Sequence, residues 1–267
     1  MANSELIIYI PTYNAITTIT PLLDRLNATS VRLAKSPDNI TVKSIILVND
    51  GSSDNTSDII SKISKKKTSN TPQIILINKK QNKGAVMAVL DGMRKALELA
   101  DGDNIAKTIL VRMDSDLEHQ PEDLLKLLQP IKDDRADMVV GFIPFDSRNG
   151  FFAELFNRHI GLAESRQFLG LDIPQFCPGF YVARAHVLRK IFPEVGKKAK
   201  EFKKIYGKDM IAIDFASTVM AKKLGNRISI VRLSSIEDKW IKKMPLKKLI
   251  SYLHSHKEIM SFLKSKL

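Results

Sequence analysis

The stretch TILVRMDSDLEHQPEDLLKLLQPIK, residues 108–132, passes from an apolar run through a turn crowded with acids into an amphipathic segment. The run is short and rich in aliphatic and β-branched residues, which reads as a strand over residues 108–113. Residues 121–132 carry apolar positions at helical spacing behind a proline suited to a first turn, so the pattern predicts a helix there. Between the two stand Asp114, Asp116, Glu118 and His119. A solvated helix entry and a metal site both fit such a turn.

The same order repeats upstream. ELIIYI (5–10), SIILVN (44–49) and QIILIN (73–78) read as strands, residues 17–34, 54–66 and 85–100 as helices, and ADMVVGF (136–142) as a fifth strand. Strict alternation demands crossover connections, hence an α/β fold with a mostly parallel, Rossmann-like sheet flanked by helices. In open sheets of this kind ligands bind beyond the carboxyl ends of the strands. The segments to read for function are therefore PTYN (11–14), NDGSSDNT (49–56), NKKQNKGAVMAV (78–89) and MDSDLEHQ (113–120).

Asp114 and Asp116, leaving a strand in extended geometry, would project to one side and share a cation. Their hard oxygens suit Mg2+ or Mn2+, which keep positions open for diphosphate oxygens. Asp50 can accept hydrogen bonds from a base or ribose, or belong to a capped helix-entry turn. Lys83 and Gly84 allow close backbone approach to a ligand or cap the next helix. Pro11, Thr12 and Tyr13 can pack on a nucleobase or belong to the core.

With 267 residues and 44% hydrophobic content, the chain suits one large domain, or one and a half, with a packed core. Cys177 is the single cysteine, which excludes an internal disulfide framework and a cysteine-rich zinc site. The first residues lack the basic start and apolar stretch of a signal peptide, and no apolar run approaches the roughly 18 residues of a membrane span, so a cytoplasmic protein is expected. Charge is uneven: residues 1–183 carry net −1 and residues 184–267 net +14. Such a tail attracts nucleic acid, anionic lipid or a phosphorylated substrate. Nothing in it resembles a nucleic-acid module, so no nucleic acid partner is expected. From Leu246, the residues Leu249, Ile250, Leu253, Met260 and Leu263 form a helical stripe, with Lys247, Lys248, Lys257 and Lys264 on other faces. That helix either docks on the domain or meets an anionic membrane surface as a peripheral contact.

The segments IPTYNAITTITPLLDRL (10–26), ILVNDGSSDNT (46–56), NKGAVMAVLDGMRKA (82–96) and MDSDLEHQPEDL (113–124) resemble the successive signatures of family 2 glycosyltransferases with the GT-A fold, most nearly the polyprenyl-phosphate mannosyl- and glucosyltransferase branch. The resemblance covers residues 5–143. It implies a metal-dependent, inverting enzyme that moves a sugar from a GDP- or UDP-linked donor to a polyprenyl phosphate or a saccharide. By the same resemblance Pro11, Tyr13, Asp50, Lys83 and Asp114 contact the nucleotide. Asp114 and Asp116 hold Mg2+ or Mn2+, with Glu118 as a third oxygen ligand where the branch often has glutamine. Asp116 and Asp214 are then the catalytic carboxylates, Asp214 lying near the acceptor as the base that a hydroxyl acceptor would need, with Asp209 as its competitor. Lys239, Lys242 and Lys243 match basic residues that clasp phosphate. Arg148, Arg158 and Arg166 lie on a helix expected over the active face, where they meet phosphates or solvate the helix. The chain divides into a nucleotide-sugar-binding half (1–143), a divergent acceptor-side half of the same catalytic domain (144–240) and a basic amphipathic C-terminal helix (241–267). Cys177 and Pro178 stand before Gly179 and Phe180 where the branch has an acidic and a small polar residue, so acceptor recognition is expected to differ. A nucleotidyltransferase would share fold and metal but needs a glycine-rich loop with a basic residue, which PTYN lacks. A catalytically silent binding protein would not need the paired aspartates.

Overall fold

A computed structural model describes residues 4–65, 71–102, 105–143, 151–173, 179–210, 212–234 and 246–266, with the backbone alone for 151–158, 160 and 246–254. In chain order the elements are β1 (Glu5–Thr12), α1 (Ile19–Ala34), β2 (Thr41–Asn49), α2 (Thr56–Lys65), β3 (Gln73–Asn78), α3 (Ala85–Leu99) and β4 (Thr108–Arg112). A 3-10 turn (Pro121–Asp123) runs into α4 (Leu124–Lys132), followed by β5 (Met138–Phe142), α5 (Phe151–Leu169), β6 (Tyr181–Arg184), α6 (Ala185–Tyr206), α7 (Ile213–Lys223), β7 (Ile228–Arg232) and α8 (Leu246–Lys266).

The strands form one sheet in the order β3-β2-β1-β4-β6-β5-β7. Every pairing is parallel except those of β6, which runs antiparallel to both β4 and β5. The expected mostly parallel sheet is present, but β5 is not the neighbour of β4. A four-residue strand carries no signature of its polarity in its side-chain pattern, so its insertion is a tertiary outcome.

Alternation along the strands builds two apolar layers. Ile7, Tyr9, Ile46, Val48, Leu110 and Tyr181 face a cluster supplied by α3, α6, α7 and α8. Leu6, Ile8, Ile10, Leu47, Val111 and Val182 face the cluster supplied by α1, α2 and α4. The C-terminal helix belongs to the first layer: Ile259, Met260, Phe262 and Leu263 are buried, and Phe262 meets Phe202 of α6 edge-on with ring centroids 5.4 Å apart. Met260 and Leu263 of the apolar stripe are thus committed to the protein core, which leaves the solvated faces for Lys257 and Lys264. The side chains of Lys247, Lys248, Leu249, Ile250 and Leu253 lie outside the described residues. Among the described residues no helix is long and apolar enough to cross a membrane.

Candidate functional site

β1 has β2 on one side and β4 on the other, so the chain order reverses there and the crossovers diverge. A crevice opens above the carboxyl ends at such a switch point. The loops after β1 and β2 are stitched across it: the Asn14 N–H donates to Ser52 Oγ (2.9 Å), the Ser53 N–H to Asn14 Oδ1 (2.9 Å), and the Ala15 N–H to Thr56 Oγ1 (2.9 Å). Asp50, buried at the end of β2, clamps the next loop. Its carboxylate accepts the N–H groups of Lys83 (3.1 Å) and Gly84 (2.8 Å) and pairs with Lys79 Nζ (3.1 Å), which also reaches Asp91 (2.9 Å). Gly84 has φ +93°, and a Cβ there would lie 2.2 Å from Asp209 Oδ2. The backbone conformation favours glycine, and a Cβ would in addition push the Asp209 carboxylate aside.

β4 ends at Arg112, so Asp114 and Asp116 do not sit in extended strand geometry, and the loop places them instead. Leu117, at φ +66°, is fully buried and anchors the turn. The Asp114 N–H donates to His119 Nδ1 (3.0 Å), and the Glu118 N–H to Asp116 Oδ1 (3.2 Å). Gln120 Nε2 donates to the Leu117 carbonyl (3.0 Å), and Arg25 of α1 braces Glu122 (3.0 Å) and Gln120. Burial holds the His119 imidazole below its ordinary pKa although Asp114 and Asp116 pull the other way, consistent with a neutral ring that accepts at Nδ1.

The four loops enclose a cleft of about 280 Å³ lined by Pro11, Thr12, Tyr13, Asp50, Asn82, Ala85, Ala88, Asp114, Ser115 and Asp116. It gathers five of the residues expected at a nucleotide or metal site: Pro11, Tyr13, Asp50, Asp114 and Asp116. Tyr13 is 49% exposed and so is no core residue. Lys83 contributes its backbone to Asp50 while its side chain is exposed and does not line the cleft. Glu118 does not line it either, and among the described residues no three His, Cys, Asp or Glu side chains gather as a metal-ligand group. The Glu118 N–H supports Asp116, while its carboxylate is not among the groups that line the cleft. Two half-buried carboxylates beside an open cleft still fit a Mg2+ or Mn2+ ion that takes its other ligands from phosphate and water. A groove of about 490 Å³ between α4 and β7, lined in part by Lys126, Gln129 and Arg135, has no carboxylate among its described lining residues.

Sequence reasoning missed Arg112, which joins the two halves of the site. Its Nη1 donates to Asp114 Oδ1 (2.6 Å) and to the Gly179 carbonyl (2.8 Å), and its Nη2 lies 3.2 Å from Asp214 Oδ2. Burial opposes its charge, but Asp114 and Asp214 more than compensate and hold the guanidinium protonated. The only signal in the sequence is a basic residue near the end of an apolar run. Asp214, in the first turn of α7, is 5% exposed and does not line the cleft. Burial pushes its carboxyl up to about 6, against the pull of Arg112. Asp209 pairs with Lys203 (3.0 Å). Arg166 pairs with Asp172 (2.6 Å) and so serves its own helix end rather than the cleft. Arg158 lies on α5 with its side chain outside the described residues, as do Arg148, Cys177, Pro178, Lys239, Lys242 and Lys243 altogether.

A model of the family described as glycosyl transferase family 2 matches residues 7–192. The chain is 33% identical over 149 residues to a UDP-N-acetylglucosamine–dolichyl-phosphate N-acetylglucosaminyltransferase of Methanococcus voltae, over 53% of this chain and 53% of that protein. It is 29% identical over 190 residues to an undecaprenyl-phosphate mannosyltransferase of Micrococcus luteus, over 68% of this chain and 67% of that protein. The match thus spans about half the length of the first relative and two thirds of the second. A crystal structure of glucosyl-3-phosphoglycerate synthase from Mycobacterium tuberculosis with Mn2+, uridine diphosphate and phosphoglyceric acid superposes with a TM-score of 0.61 at 19% identity, covering 98% of this chain and 78% of that one. That likeness establishes the shared fold.

Proposed function

Because the chain belongs to glycosyl transferase family 2 and has the GT-A fold, we propose that it transfers a sugar from a nucleoside-diphosphate donor, GDP- or UDP-linked, to a polyprenyl phosphate, with a saccharide as the alternative acceptor. The observation that carries the reading is the single cleft at the switch point that holds Tyr13, Asp50, Asp114 and Asp116 together. The names of the relatives, two transferases acting on lipid-linked phosphates, support the acceptor class.

In this reading Tyr13 and Pro11 offer a surface for the base, and Asp50 keeps the N–H-rich loop at Lys83 and Gly84 in register beside it. Asp114 and Asp116 hold a divalent cation, Mg2+ or Mn2+, which when bound neutralises charge developing on the departing diphosphate. The bond from the anomeric carbon to the diphosphate oxygen breaks, with its electron pair leaving on the nucleoside diphosphate. An acceptor phosphate oxygen forms the new bond from the opposite face, which inverts the anomeric centre. A phosphate acceptor is already an anionic nucleophile, so the protein must position it rather than deprotonate it. Arg158, Lys239 and Lys242 are proposed to hold that phosphate. The proposed location is cytoplasmic, peripheral on the inner membrane face.

A thermal-shift panel of nucleotide sugars with and without Mn2+ tests the reading, because a ligand that binds only the folded state raises the melting temperature. The donor should raise it, and more so with Mn2+. Asp116→Asn keeps the shape and removes one anionic ligand, so turnover should fall by roughly a hundred-fold or more at an unchanged urea midpoint. Full turnover in that variant, or in chelator, would refute the metal-dependent mechanism.

A further inference from the structure

We propose that Arg112 is a positioning residue that sets how tightly Asp114 and Asp116 bind a divalent cation, and that Asp214 acts through it by sharing the guanidinium. The inference rests on the metal-dependent reading above.

Arg112 stands in a row across three strands, paired in register with Tyr9 of β1 and with Tyr181 of β6. The two tyrosine hydroxyls are 2.5 Å apart, and all three side chains are buried. A guanidinium in such a row needs counter-charge. Asp114 supplies it from the cleft side and Asp214 from α7. The packing leaves little slack: a Cβ on Gly179 would lie 2.8 Å from Asp114 Oδ2 and 3.2 Å from Arg112 Nη1. Among the described residues Asp214 Oδ1 is buried without a hydrogen-bond partner, and the Arg112 pair is the polar contact they give this carboxylate.

Any cation at Asp114 must therefore share that carboxylate with Arg112. How firmly Arg112 holds Asp114 depends on how much of its charge Asp214 answers. Neutralising Asp214 leaves the guanidinium to Asp114 alone, which strengthens that pair and weakens the cation. Removing the guanidinium together with the Asp214 charge releases Asp114 and has the opposite effect. A merely structural role for the cluster would weaken cation binding in both variants. A general-base role for Asp214 would remove turnover and leave cation binding unchanged.

The experiment is a Mn2+ titration read from the electron paramagnetic resonance signal of free Mn2+, with and without UDP, on the wild-type chain, on Asp214→Asn and on Arg112→Met/Asp214→Asn. Asp214→Asn should weaken Mn2+ binding about ten-fold, the scale expected for removing one charge several ångströms away in a partly screened interior. The double variant should bind Mn2+ at least as tightly as wild type. If the double variant does not fold, Arg112→Lys replaces it: one ammonium cannot serve Asp114, Gly179 and Asp214 at once, so binding should again tighten. Unchanged affinity in Asp214→Asn, or weaker binding in all variants, overturns the proposal while the metal-dependent reading stands. If the wild-type chain binds no Mn2+ even with UDP, the metal reading fails first and takes the proposal with it.

Discussion

Asp50 shows how one side chain can organise a site without being exposed in it. It is 3% exposed, yet two backbone N–H groups and one ammonium converge on its oxygens, and they come from the loop that closes the cleft. Hydrogen bonds to a charged group contribute about 1.5–3 kcal/mol each when buried. Asp50→Ala should let the loop at residues 79–84 drift and lower UDP affinity by roughly ten- to a hundred-fold, the equivalent of about one such bond. Calorimetry checks this, and an unaltered isotherm would confine Asp50 to the turn. Asp50, Asp114 and Asp116 were legible because an acid just past an apolar strand in an α/β chain falls at the ligand end of the sheet whatever the strand order. Glu118 was read as a ligand from the resemblance alone, and its absence from the cleft lining follows from the course of a loop that begins where the strand stops at Arg112. Arg112 itself was illegible: its meaning comes from Tyr9, Gly179, Tyr181 and Asp214, which only the fold brings to it.

At the level of elements, α8 and β7 carry the clearest consequences. α8 is bound to the domain through its apolar residues and through ion pairs from Lys208 to Glu258 and from Lys266 to Glu201 (3.3 Å). Phe262→Ala should lower unfolding free energy by about 3–5 kcal/mol, the cost of a large buried cavity, as measured by urea denaturation. A change below about 1 kcal/mol would mean that the helix end is not part of the core. β7 is clipped to the start of β5 by Arg227, whose Nε and Nη2 donate to the two oxygens of Asp137 at 3.0 and 2.8 Å. Those bonds hold the Asp137 carboxyl down at about 2, against 3.8 for an ordinary aspartate. A depressed carboxylate stabilises the fold above its unfolded pKa and loses that contribution as pH falls. The urea midpoint should therefore drop between about pH 4 and pH 2, and Arg227→Ala should flatten that part of the profile. The early strands and helices were legible because each repeats a clean two- or 3.6-residue period over enough positions. β6 was not, because four residues, YVAR, cannot declare a neighbour or a direction.

For the whole molecule, the excess positive charge of residues 184–267 is displayed rather than hidden. Lys197, Lys200, Lys203 and Lys204 of α6, Lys222 of α7 and Lys257 and Lys264 of α8 are all exposed, and Ile205 stands 53% exposed beside Lys204. Each lysine near an anionic bilayer contributes on the order of 1 kcal/mol, enough in combination for reversible attachment. Sedimentation with phosphatidylglycerol vesicles should carry the protein down at low salt and release it at high salt, whereas phosphatidylcholine vesicles should not. Lys200→Glu/Lys204→Glu should reduce the bound fraction. Equal recovery in the supernatant with both lipids would shift the acceptor toward a soluble molecule.

The antiparallel β6, set between β4 and β5, also fixes an order of events in time. Arg112 finds the Gly179 carbonyl 67 residues further along the chain, and β4 has no partner on that side until then. At the roughly 5–20 residues per second of protein synthesis, β4 and its buried-to-be guanidinium wait for about 3–13 s after leaving the ribosome. For that interval the nascent chain carries an open strand edge, the element most prone to pair with a wrong neighbour. A ribosome-bound chain stalled after β5 should therefore remain protease-sensitive and hold chaperones. The chain extended past β6 should release them, because the centre of the sheet closes only when its last-arriving inner strand slides in.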